Sequence, residues 1–482
     1  MSNLTDLLPA GAGGKQVDFV ASGSIGNGVT VVLNSDGTVS VVAETPISQS
    51  IGAEVSFTTN IPTWVSATFD SLNNKVVVFY TDYNNSYYGT GIVGTVSGTS
   101  ISFGSPTVFK SNTVSYSASA FDVSTGKVVV AYTNDSQGRA ETVVGTVSGT
   151  SISFGASVVL STSSGSYRSC VYDAKNQKIV IAFTNGADLD KGYAIVGTVS
   201  GTSISFGTAV RFANESIIWV DIAYSPVDEK VIIVYSGNTN GGKVVVGTVS
   251  GTSISYGTLS SSFAGNYVNK YNNIVYDTKN QKFVIVYRDD TSSYGRAIVG
   301  TISGTSVSLG TPVNFYVGDT TWINATYDEN ASKTVISFVS WTGGRLVVGE
   351  VSGTSISFNS NELIKDGSSA YFTGAYDSNN KKVVIAYQGR DPSNSSDGYA
   401  RVIQPAYNST NNTAFIGISD SAISDEATGS VTIKGGVSTN VTGLTPNTDY
   451  YVQPDGSLST TTSSVLAGKA LSATSINLDY TT

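Results

Sequence analysis

Seven times along the chain a lysine opens an apolar run, unbroken in cases such as Val76-Val77-Val78-Phe79-Tyr80 after Lys75 and Val231-Ile232-Ile233-Val234-Tyr235 after Lys230. Runs of this kind predict strands buried on both faces. Other segments alternate strictly, as in Ser100-Ile101-Ser102-Phe103, and predict strands with one polar face. Six residues before each lysine stands an aromatic residue followed, in six of seven copies, by aspartate. The pairs are Phe69-Asp70, Phe121-Asp122, Tyr172-Asp173, Tyr276-Asp277, Tyr327-Asp328 and Tyr376-Asp377, with Tyr224-Ser225 as the exception. Such a link is short enough for a hairpin turn, where Asp bonds its own backbone.

The alternating segment belongs to a dodecapeptide, Val-Gly-Thr-Val-Ser-Gly-Thr-Ser-Ile-Ser-Phe-Gly, present in six near-copies. Its Val-Gly glycines are Gly94, Gly145, Gly197, Gly247, Gly300 and Gly349, in steps of 51, 52, 50, 53 and 49 residues. A period near fifty built of β-strands predicts a propeller or a solenoid. Seven copies of one element and six of the other predict seven blades, with the missing partner detached at the N-terminal side. Ser50-Ile51-Gly52-Ala53-Glu54-Val55-Ser56-Phe57 stands as far before Phe69 as Ser102–Phe109 stands before Phe121. It is expected to pair with the strand around Tyr399-Ala400-Arg401-Val402-Ile403, which would close the ring and remove free sheet edges. A β-solenoid is the alternative if the ends do not meet.

Connection lengths order the strands of a blade. The aromatic-Asp strand is innermost, then the lysine strand, then Ile-Val-Gly-Thr-Val, with Ser-Ile-Ser-Phe-Gly outermost. Two tight turns then share one face of the disc and two variable connections the other, which is the candidate binding face. Residues 1–45 and 407–482 lie outside the repeat and read as short strands, with hairpin cues at Asp36-Gly37 and Asp455-Gly456. The expected all-β architecture is therefore a seven-bladed β-propeller, residues 46–406, inserted in a small β domain made by both termini.

Composition narrows the chemistry. The net charge is -9, and the 35 acidic residues are scattered, so nucleic acid is not an expected partner. There is no histidine, which removes the commonest general base and zinc ligand. The single cysteine, Cys170, sits in an apolar strand position and reads as an inert buried thiol. Neither a signal-peptide pattern nor a transmembrane stretch is found, so no membrane insertion is expected. No calcium-loop pattern, sialidase box or phosphate-binding loop occurs, so no catalytic residue, metal or cofactor is assigned. Asp188, Asp190, Asp289 and Asp290 lie in variable loops and read as solvated acids rather than a carboxylate pair.

One pattern points to a ligand. Five residues before each inner-strand aromatic sits another aromatic: Trp64, Tyr116, Tyr167, Trp219, Tyr271, Trp322 and Tyr371. They are expected to ring the channel mouth, where aromatic faces can stack on sugars and Trp or Tyr tips can bond hydroxyls. Their recurrence in every blade equally fits rings wedged between blades. Tyr83, Tyr87, Tyr88 and Trp341, in connections between second and third strands, are further candidate glycan contacts.

Three stretches carry a family likeness. They are the opening Met1-Ser2-Asn3-Leu4-Thr5-Asp6-Leu7-Leu8-Pro9-Ala10-Gly11, the dodecapeptide array, and the tail motifs Ile423-Ser424-Asp425-Glu426-Ala427-Thr428-Gly429 and Tyr450-Tyr451-Val452-Gln453-Pro454-Asp455-Gly456. Together they resemble structural proteins of tailed bacteriophages, especially marine and cyanobacterial ones. The resemblance implies a non-enzymatic virion protein of fibre, tail or capsid surface. It would be assembled in the host cytoplasm in multiple copies, held to other virion proteins by the terminal β domain and contacting host cell-surface polysaccharide. Two alternatives stand beside it: a purely structural capsid decoration or head fibre, and a polysaccharide-degrading propeller enzyme.

Overall fold

A computed structural model describes residues 15–238, 241–263, 269–390 and 396–478. The chain forms two compact units, one running from Ser48 to Pro405 and the other made of the segments up to Ile47 and from Ala406 onward.

The larger unit is built of β-propeller blades. In one of them Pro62–Asp70, Lys75–Asp82, Tyr88–Ser97 and Ser100–Phe103 pair antiparallel in succession. The lysine strand is apolar throughout because both its faces are covered. Val76 and Val78 pack with Val384 and Ala386, whereas Val77 and Phe79 pack with Val128 and Val130. Each such side chain, fully buried, contributes roughly 1.5–3 kcal/mol. The segment Ser50–Ile51 and Val55–Thr58 pairs antiparallel with Ser396–Gln404, matching Ile51 to Ile403 and Ser56 to Tyr399.

Repeated residues do repeated work. Asp70 accepts from the backbone N–H groups of Leu72 and Asn73, which shapes the turn into the lysine strand. The inner-strand tyrosine reaches the neighbouring blade: the Tyr327 hydroxyl donates to Asp277 at 2.8 Å and accepts from the Lys279 N–H. The glycine ending the dodecapeptide is required by contact. A Cβ on Gly155 would lie 1.9 Å from the carbonyl oxygen of Thr202, in the tight turn of the next copy.

One expectation needs correction. Two of the links from an outermost strand to the next innermost strand are not open loops. Thr107–Asp122 and Val210–Ser225 are continuous strands, paired first with the third strand of one blade and then with the lysine strand of the next. The broken outer edge resumes after Gly104-Ser105-Pro106, so backbone donors that a loop would expose are bonded.

In the smaller unit both ends of the chain share a sheet. Gln16–Val20 pairs with Thr428–Ile433, which pairs with Phe415–Ser419, and that strand pairs with Thr30–Leu33. Both Asp-Gly cues form hairpins, pairing Leu33 with Val39 and Val452 with Leu458. Val32, Phe415, Ile418, Val452 and Ile476 belong to one buried cluster.

Candidate functional site

The inner strands begin with the seven recurring aromatics, and their rings touch in an unbroken circle. Centroid separations are 3.9 Å for Trp64–Tyr116, 5.5 Å for Tyr116–Tyr167, 4.8 Å for Tyr167–Trp219 and 4.4 Å for Trp219–Tyr271. The circle continues with 5.5 Å for Tyr271–Trp322, 4.2 Å for Trp322–Tyr371 and 5.4 Å for Tyr371–Trp64. All seven are half-buried. At these separations each ring turns a face toward its neighbour, because coplanar rings side by side need more room. The rings therefore pack on one another first, and a ligand would meet chiefly their edges and polar tips.

Backbone geometry sets this arrangement. Trp64, Tyr116, Trp219, Tyr271, Trp322 and Tyr371 have φ of 50, 51, 51, 55, 48 and 53°. Each lies where the pairing register shifts by a bulge, as between Thr63 and Ser66 or between Ile218 and Asp221. A bulky side chain at positive φ costs roughly 1–2 kcal/mol, so the circle is held against local backbone preference.

Tyr167 breaks the pattern: its φ is not positive, and Arg168–Asp173 pairs without a shift. The residue after it is Arg168, 8% exposed, whose guanidinium donates to the carbonyls of Tyr116 at 3.0 Å and Gly165 at 2.6 Å. Burial pulls its pKa down to about 10. The phenols converge. Burial first, then the phenols of Tyr116 and Tyr271, push Tyr167 up to about 12, and the same causes in the same order raise Tyr371.

Two residues further along, six of the seven inner strands carry a polar collar of Ser66, Ser169, Asp221, Asn273, Asn324 and Thr373, with Ala118 at the seventh position. Asp221 accepts from Asn273 Nδ2 at 2.6 Å and from the Ile274 N–H at 2.8 Å, and Asn273 Oδ1 accepts from the Ala325 N–H at 2.7 Å. Burial raises Asp221 to about 6, outweighing the hydrogen bonds that favour its carboxylate. Burial and the nearby Asp221 push the Cys170 thiol up, away from reactivity.

The loop candidates divide. Tyr83 and Tyr87 are exposed but meet edge to face at 4.7 Å, and Tyr88 is a half-buried strand residue opposite Asp82. Trp341, at a hairpin tip, is 86% exposed. The loop acids have partners: Asp188 meets Lys191 at 3.1 Å, Asp289 meets Arg296 at 3.0 Å, and Asp290 meets Lys270 at 3.0 Å. Among the described residues no group of three or more Cys, Asp or Glu side chains is placed to hold a metal. The strained φ values, Arg168 and Asp221 were not anticipated. Their signal was available, since Arg168 is the one charged residue following a ring aromatic and Asp221 the one acid at collar level.

No family model and no curated protein matches the chain. Among solved structures it is similar to a protein from Lactobacillus plantarum, at 12% identity and TM-score 0.44, over 72% of this chain and 98% of that one. A periplasmic gluconolactonase of Pseudomonas aeruginosa matches at 11% identity and TM-score 0.45, with 72% and 98% covered. AofleA from Arthrobotrys oligospora matches at 7% identity and TM-score 0.41, with 70% and 95% covered. These findings correct the expectation of a phage virion structural protein contacting a host surface. The three structures named are bacterial and fungal proteins, one of them a gluconolactonase, and none of the three is described as a phage protein.

Proposed function

We propose that the larger unit is a seven-bladed propeller, closed by the strand around Ser50–Thr58, that binds a saccharide at its aromatic mouth. Ring geometry supports the blade count. Neighbouring ring planes meet at 36, 65, 48, 41, 55, 47 and 59°. A sevenfold repeat turns each blade by about 51° from its neighbour. Trp64 and Trp322, on either side of Tyr371, meet at 74°, against about 77° for a two-blade step. The pairing of Ile51 with Ile403 supports closure.

The observation that carries the saccharide reading is the convergence of tyrosine hydroxyls and indoles above a polar collar that holds a single acid, Asp221. Tyr offers a donor and an acceptor, and indole a donor, so the mouth presents many groups for hydroxyls and few for fixed charge. Six strained aromatics held for this purpose fit a functional mouth better than a filler would. Three of the four tryptophans sit in the ring, so intrinsic fluorescence reports directly on occupancy. Titration with neutral sugars should shift emission, and Trp64→Ala with Trp322→Ala should abolish the shift while far-ultraviolet dichroism stays native. Unchanged emission across the panel would remove the reading.

A second reading, turnover of the bound sugar, is favoured by Asp221, a carboxyl poised near neutrality beneath the mouth. Release of reducing ends, lost in Asp221→Asn, would establish it.

A further inference from the structure

The rings of the circle pack against one another, whereas one indole on this side of the propeller is uncovered. Trp341 is, among the described residues, the most exposed of the large apolar side chains. Its position is fixed rather than loose. The Arg345 guanidinium donates to Ser340 Oγ at 3.1 Å, to Thr342 Oγ1 at 3.0 Å and to Asn361 Oδ1 at 2.5 Å, and it lies 5.7 Å from the centre of the Tyr316 ring. The hairpin tip is thus held on both sides of the indole. A rigid, two-torsion aromatic contributes contact area with little entropy to lose.

The register places this tip beside the mouth. Thr321 is paired with Val339, so Trp341 stands two residues beyond the partner of the residue that precedes Trp322. With ordinary strand rise and spacing, the Cα atoms of Trp341 and Trp322 are about 10 Å apart, a reach of a few linked sugar rings. Asp319, in the link leading to Trp322, pairs with Arg288 at 3.1 Å, and both act on the Tyr271 phenol. No other blade combines a ring tryptophan with a tryptophan in its second turn.

We infer that the ligand is a linear oligosaccharide rather than a single sugar, with its end bonded at the mouth and a following unit stacked on Trp341. This rests on the saccharide reading above and names its substrate class. The terminal unit meets ring edges, hydroxyls and indole N–H groups, and the chain leaves the mouth over this blade.

Calorimetric titration of the full chain tests it, with glucose, mannose and N-acetylglucosamine as probes beside their linear oligomers of two to six units. For the oligomer series that binds, affinity should rise about tenfold once the chain is long enough to reach Trp341. Trp341→Ala should erase that rise and leave affinity for the shortest binding sugar unchanged, and Trp341→Phe should restore most of it. An exposed tip residue is not needed for folding, so the variants report on binding. Affinity independent of length, or a length effect that survives in Trp341→Ala, overturns the inference while leaving the mouth as a sugar site. If no sugar of any length binds, the saccharide reading and this inference fall together.

Discussion

Replacing a ring aromatic by alanine and by glycine separates its backbone from its side chain. At Trp219 both variants lose the same contacts, to Tyr167 and Tyr271, so their difference isolates the residue's own conformation. With φ of 51°, alanine keeps a left-handed strain that glycine lacks; that strain is about 1–2 kcal/mol. Glycine gives back about 0.5–1 kcal/mol through the greater freedom of its unfolded chain. The balance favours Trp219→Gly over Trp219→Ala by about 0.5–1 kcal/mol. Tyr167 supplies the internal control, because its φ is not positive. There only the entropy term survives, and Tyr167→Ala should be the more stable by about 0.5–1 kcal/mol. Urea unfolding followed by far-ultraviolet dichroism reads both pairs, with unchanged slopes showing that the midpoints report stability. The expected result is a reversal of sign between the two sites. The same sign at both, or alanine ahead at Trp219, would refute the argument that the circle is held against backbone preference.

Three other outcomes are expected. Asp328 is 1% exposed, and burial raises its carboxyl to about 6. A raised acid stabilises the fold fully only below the unfolded value near 3.9, and that stability drains away as pH climbs to about 6. Between pH 5 and 8 the native chain should lose about 1.4 kcal/mol that Asp328→Asn retains, measured as the pH dependence of the urea midpoint. Gly155→Ala drives a methyl group into the Thr202 carbonyl, 1.9 Å from the new Cβ, and should lower stability by about 1–3 kcal/mol, whereas a neutral result in thermal melts would remove the blade-to-blade role given to this glycine. Tyr327→Phe deletes a donor to buried Asp277 and should lower stability by about 1.5–3 kcal/mol in the same melts.

Most of the repeat could be read from the chain because identical physical demands recur. The lysine strands are apolar since neighbours cover both faces, as Val77 and Val78 show by packing with different blades. Aspartate follows the aromatic where a turn needs an acceptor, and glycine follows Phe103 where a turn of the next copy comes too close for a Cβ. The seven aromatics also stood out by spacing alone. Which way their rings face did not, since that follows from bulges and positive φ that residue identity argues against. The same holds for the outer link, where Thr107–Asp122 is one strand although Ser111, Asn112 and Thr113 suggest a loop. Tertiary pairing there overrides local propensity.

The departures from the repeat say more about function than the repeat does. A ligand smaller than the disc cannot use seven equal positions at once, so equal residues chiefly serve ring packing. Residues present once can define orientation. Arg168 stands where one blade lacks the bulge and sends its guanidinium to the Tyr116 carbonyl. Asp221 places the single acid of the collar in the next blade, within reach of Asn273. Trp341 offers its uncovered indole two and three blades farther round. These three features lie in different blades and differ in kind: a cation, a carboxyl and an apolar face. An asymmetric ligand entering there meets a different group in each direction, which a sevenfold circle of aromatics alone could not provide. Exchanging the collar residues Asp221 and Asn273, as Asp221→Asn with Asn273→Asp, would move the acid one blade while keeping collar composition. If orientation is set by these departures, sugar selectivity should change more than affinity for the best sugar of the native chain. An unchanged selectivity profile would mean that the circle, and not its exceptions, governs recognition.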